Sequence, residues 1–141
     1  MFKHILLPTD GSELSKKAID GGLELAKAIN ARVTAYVCLE EYPYTPFSEI
    51  VVEAPQAFKE RIENQARLYL KEIETAAVAA GLPFDADMTT FAVPYLGIID
   101  AAERHGCDVI FMASHGRRGL SGLLLGSETQ KVLTHTDIPV I

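Results

Sequence analysis

The stretch that decides the fold is VIFMASHGRRGLSGLLLGSET, Val109 to Thr129. It opens on a continuous apolar run, Val109-Ile110-Phe111-Met112, turns abruptly small and polar at Ala113-Ser114-His115-Gly116, and reaches Gly126-Ser127 at the head of a helix-like pattern. A short apolar run bounded by turn residues reads as a buried strand. The segment after it needs either a demanding turn or a ligand held against its backbone. Small residues let an anion approach main-chain N–H groups, and a helix N-terminus adds unpaired donors and the positive end of a dipole.

The same alternation runs along the whole chain. His4–Leu7 reads as a strand and Ser12–Ile29 as a helix, with Leu14, Ala18, Gly21-Gly22, Leu25 and Ala28-Ile29 on its inner face. Arg32–Leu39 is a β-branched and aromatic strand, and Glu40–Pro55, with its prolines and tyrosines, is mostly loop. Gln56–Ala80 is the clearest helix, stepping by three and four through Phe58, Ile62, Ala66, Tyr69 and Ile73 before Gly81 and Pro83 stop it. Phe84–Ala92 follows as a strand and Pro94–His105 as a helix closed by Gly106. Asp108–Met112, a helix over Gly126–Thr136 and a last strand from Ile138 to Ile141 complete the order. Strands alternating with crossover helices predict one α/β domain, an open doubly wound parallel sheet with helices on both faces.

At 141 residues, 48% hydrophobic and 23% charged, the chain can bury one core and does not resemble a disordered sequence. Met1–Pro8 carries one lysine and too short an apolar run for a signal peptide, and no stretch approaches membrane-spanning length, so a cytoplasmic protein is expected. A formal charge of −6 argues against nucleic acid as a partner, although local amides and arginines can still meet one small anion. Cys38 and Cys107 lack any paired spacing and read as free thiols beside strands. The P-loop, dinucleotide, HExxH, GxSxG and zinc patterns are absent from the sequence.

In a doubly wound sheet, ligands bind beyond the carboxyl ends of strands, where the winding reverses. Pro8-Thr9-Asp10-Gly11-Ser12-Glu13 follows the first strand, and Ala113-Ser114-His115-Gly116 follows the fourth. Asp10 can accept from ribose hydroxyls or hold a hydrated cation. Each feature also has a plain reading: Asp10 with Glu13 as a capping pair, Arg117-Arg118 as a solvated pair, Gly126-Ser127 as an ordinary helix start. Their convergence on two adjacent strand ends favours an anion or nucleotide site.

These residues resemble the universal stress protein family across the whole chain. Its strand-end motif, G-x2-G-x9-G-[ST], is matched by Ala113-Ser114-His115-Gly116, nine residues Arg117–Leu125, and Gly126-Ser127, with Ala113 in place of the first glycine. Pro8-Thr9-Asp10-Gly11-Ser12 matches the family's opening and Ile138-Pro139-Val140 its closing strand. The resemblance implies a five-stranded sheet of order 3-2-1-4-5, ATP, AMP or ADP as ligand with Mg²⁺ or Mn²⁺, and a homodimer formed through the last strand. It places Thr9 and Asp10 near base and ribose, Val37 or Cys38 beside adenine, and Ser114 to Gly116, Gly126 and Ser127 around the phosphates. The candidate set is then Pro8, Thr9, Asp10, Val37, Cys38, Ala113, Ser114, His115, Gly116, Arg117, Gly126, Ser127 and Glu128, with Asp10 as the metal ligand. Hydrolysis would need a positioned water and a base; Arg117, Arg118 and Asp10 offer no evident base, so binding is favoured over catalysis. A slow ATP hydrolase and a nucleotide-free dimerisation module are the alternatives.

Overall fold

The computed structural model describes residues 1–43, 53–114 and 127–141. Four parallel strands form the sheet: β1 (His4–Pro8), β2 (Arg32–Leu39), β3 (Phe84–Thr90) and β4 (Val109–Ile110). Their order is β3-β2-β1-β4, so the winding reverses between β1 and β4. The connections carry α1 (Glu13–Ile29), α2 (Pro55–Ala79) and α3 (Pro94–His105), and α4 (Ser127–His135) follows β4.

Alternation along the strands divides the core in two. Ile5, Leu7, Val33, Ala35, Val37 and Val109 pack against α1 and α2 with Leu23, Ala26, Leu70 and Ile73. Leu6, Tyr36 and Ile110 point the other way, onto Ile98, Ala101 and Ala102 of α3 and Val132 of α4. The inner face of α1 lies one residue on from the sequence expectation, because Ser15, Ile19, Gly22, Leu23 and Ala26 are its buried positions. Gly22 is common to both faces. A Cβ on Gly22 would lie 2.3 Å from Leu7 Cδ2, so the helix meets β1 through this glycine.

The sheet departs from expectation at its last strand. Ile138–Ile141 takes the fifth position beyond β4, but it forms a single parallel bridge, Ile110 to Val140, instead of a strand. Ile110 N–H donates to the Pro139 carbonyl at 2.9 Å, Ile141 N–H to Ile110 at 2.8 Å, and Met112 N–H to Ile141 at 3.1 Å. Two features shorten this ladder: Pro139 has no N–H to give, and β4 spans only two residues where five were expected.

Candidate functional site

The register of the sheet assembles the site. β1 pairs with β4 as Ile5 with Val109 and Leu6 with Ile110, and with β2 as Leu7 with Ala35 and Pro8 with Tyr36. Carried forward, that register sets Thr9 and Asp10 level with Val37 and Cys38 on one side and with Ala113 and Ser114 on the other. Two bonds extend it past the named strands: Thr9 N–H to the Tyr36 carbonyl at 2.9 Å, and Phe111 N–H to the Leu6 carbonyl at 3.0 Å. Six of the candidate residues therefore follow from, or end, three neighbouring strands on the same edge of the sheet.

The turn after β1 is built from its own side chains. Gly11 N–H donates to Thr9 Oγ1 at 3.1 Å, and Ser12 N–H donates to Asp10 Oδ1 at 2.9 Å. Ser15 Oγ, on the buried face of α1, donates to the same Oδ1 at 2.7 Å. Asp10 is not the helix cap that its spacing from Glu13 allowed. Ser12 is, its hydroxyl accepting from Ser15 N–H. The reason is one of reach: Asp10 sits two residues ahead of the cap and spends its Oδ1 closing an Asx-type turn. Gly11 has φ +79°, and a Cβ there would fall 2.2 Å from the Tyr69 ring of α2, so the turn demands glycine twice over.

Of the two strand-end candidates on β2, Val37 is buried in the α1–α2 core, while Cys38 lies half-buried on the α3 face. Burial pushes the Cys38 thiol up from its usual value, which keeps it neutral, and pushes Cys107 up to about 12. Both are free thiols. The neighbouring Tyr36 hydroxyl pairs with Thr89 Oγ1 of β3 at 2.6 Å.

The far wall is the first turn of α4. Ser127 is exposed there, and Thr129, a residue outside the sequence-derived set, is buried and donates its hydroxyl to the Ala113 carbonyl at 3.0 Å. Glu128 turns toward α3, where its Oε2 accepts from Tyr95 N–H at 2.9 Å. That bond supplies α3 with the cap its own Val93 does not give. His115, Gly116, Arg117 and Gly126 lie outside the described residues. A spacing argument could find the glycines but not Thr129, whose role depends on where the strand end arrives.

The described surface holds two concavities of note. One of about 290 Å³ opens at the carboxyl ends of β2 and β3 against the start of α2, lined by Leu39, Tyr42, Phe58, Ile62 and Thr90 among others. A larger one, about 480 Å³, runs along the flank between α2 and β3 past Arg67, Lys71 and Asp87, away from the strand ends. Among the described residues no group of three His, Cys, Asp or Glu side chains is placed to hold a metal ion. No described helix is long and apolar enough to cross a membrane.

A parallel sheet reversing at β1 and β4, with a turn and a helix start at that reversal, defines an α/β protein of the doubly wound class. The family follows from the sequence. The chain matches the model of the universal stress protein family over residues 1–141 and belongs to that family. A universal stress protein of Thermus aquaticus is 32% identical over 144 residues, covering 100% of this chain and 98% of that one. The solved structure of the Methanocaldococcus jannaschii protein MJ0577 is 28% identical, covers 100% of this chain and 94% of that chain, and superposes with a TM-score of 0.80. A universal stress protein family protein of Arabidopsis thaliana, solved with AMP bound, shares the fold at 14% identity and a TM-score of 0.71, covering 99% of this chain and 89% of that one.

Proposed function

We propose that this universal stress protein binds an adenine nucleotide, ATP first and AMP or ADP after it, at the edge where Thr9, Asp10, Cys38, Ala113 and Ser114 align. Its role is cytoplasmic stress signalling through the bound state and not efficient catalysis. The observation that supports the reading is the strand order with its register: β1 lies between β2 and β4, so the three strand ends that carry nucleotide candidates are neighbours. The start of α4 stands at the same edge, tied to Ala113 by Thr129. The Arabidopsis relative with AMP bound supports the ligand class. Pro8 and Val37 back the site from the core, and His115, Gly116, Arg117, Gly126 and Ser127 complete the phosphate side of this reading.

The residues fit the ligand in kind. Asp10 is an acceptor suited to ribose hydroxyls, the Cys38 side offers a neutral half-buried wall for a base, and an exposed helix start suits phosphate. Mg²⁺ is commonly held by one or two carboxylates together with substrate phosphates. A Mg²⁺ or Mn²⁺ on Asp10 therefore belongs to the nucleotide-bound state.

A homodimer is part of the same reading. Ile141, next to the short Val140 bridge, and Leu133 of α4 are large apolar side chains about half exposed, and an apolar sheet edge tends to be paired or covered. Calorimetric titration of nucleotide-stripped protein with ATP, ADP, AMP and cyclic nucleotides tests the site, with sedimentation on the same samples. Saturable binding of adenine nucleotides, and none of CTP or UTP run alongside them, is the expected result. No heat with any nucleotide ends the binding reading, and monomer alone at high micromolar protein ends the dimer.

A further inference from the structure

Thr129 and Glu128 are neighbours in sequence but reach in different directions from the first turn of α4. Thr129, only 6% exposed, ties the helix to the end of β4 through the Ala113 carbonyl. Glu128 ties it to the first turn of α3 through Tyr95 N–H. Successive residues of an α-helix are separated by about 100° around its axis, so two such ties oppose both rolling and sliding of that turn. Further contacts lie along the Glu128 side, where Lys131 Nζ stands 5.6 Å from the Tyr95 ring centroid and the His135 ring 5.1 Å from it. The N–H groups that open a helix are useful to an anion only while the helix axis points at it.

We infer that Thr129 is a positioning residue for the nucleotide: its hydroxyl fixes the start of α4 against the Ala113 carbonyl and so holds the phosphate-facing amides in their binding orientation. This rests on the nucleotide reading above. The bond is made to a main-chain carbonyl, so it does not depend on whether alanine or the motif's glycine stands at position 113. Glu128 acts with it, and its carboxylate is directed to the start of α3, away from an incoming phosphate.

The test is a pair of variants that lose the same methyl group and differ in the hydroxyl alone, Thr129→Ser and Thr129→Ala. Thr134→Ala serves as control, because among the described residues Thr134 Oγ1 bonds back to the Gln130 carbonyl of its own helix. ATP affinity is read by calorimetry, and folding by circular dichroism and thermal midpoint. Thr129→Ser is expected to bind like the wild type, Thr129→Ala roughly fivefold more weakly with the fold retained, in keeping with one hydrogen bond lost, and Thr134→Ala unchanged. Equal affinities for the serine and alanine variants, with the wild type binding ATP, overturn the positioning role and leave the nucleotide reading standing. A wild type that binds no nucleotide overturns both.

Discussion

The two walls of the site are held by opposite means. The turn after β1 closes on itself within seven residues, Thr9 to Ser15, by bonds that are local in sequence. The start of α4 is held from a distance, 16 residues back to Ala113 and 33 back to Tyr95. A turn bonded within itself has its closing donors and acceptors close together in the chain. A turn held at long range exists only once the sheet and α3 are in place. The first wall therefore carries its own closing bonds, and the second takes its bonds from the sheet and α3.

The sharpest way to break the first wall is Gly11→Val. The new Cβ would meet the Tyr69 ring at 2.2 Å, and a branched residue would be forced to φ +79°. A loss of about 3 kcal/mol or more in unfolding free energy is expected, measured by urea titration. Adding Tyr69→Ala separates the two causes: it should recover the part due to the clash and leave the backbone strain. Complete recovery would mean that φ at Gly11 matters little.

Asp10 comes next. Asp10→Ala removes the acceptor shared by Ser12 N–H and Ser15 Oγ, leaving a buried hydroxyl and an amide without it, at a cost of about 2 kcal/mol. Asp10→Asn keeps an acceptor oxygen, so it should lose less stability and reveal the ligand role alone, as weaker ATP binding that is most visible with Mg²⁺ present. If Asn and Ala destabilise alike while ATP binds both as it does the wild type, the carboxylate serves the turn only.

The same contrast explains what the sequence showed. Element order and the placing of Arg32–Leu39 and Pro94–His105 rest on local patterning, and the structure has them. Patterning had α1 one residue off, because its buried line runs through Ser15, Ile19, Leu23 and Ala26, two of them small or polar residues that a hydrophobic pattern does not select. Nor could it foresee the last strand contracting to the Val140 bridge, or Thr129 and Glu128 reaching Ala113 and Tyr95. Asp10 shows the intermediate case: its polar role near a helix start was legible, but the cap itself fell to Ser12.

The smallest expected effect concerns a third tie, long-range like those of α4 but remote from the site. Asp87 of β3 accepts from His105 Nε2 at 2.9 Å and from Arg104 at 2.8 Å, fastening the edge strand to the end of α3. Burial by itself would raise the Asp87 carboxyl, but the bonds from His105 and Arg104 outweigh it and hold the group below its ordinary value. A depressed carboxyl stabilises the fold above its unfolded pKa, near 4, and that contribution drains away as pH falls through the lower folded value. Asp87→Asn should therefore cost about 1 kcal/mol at pH 7, discounted for partial exposure, and the deficit should shrink as the pH is taken below 4. Nucleotide affinity should stay as in the wild type, since the strand-end register at β1 and β4 does not pass through this tie. A constant deficit from pH 7 to pH 3 would show that Asp87 acts by shape and not by charge. A loss of ATP binding would show that the edge strand and the site are one mechanical unit.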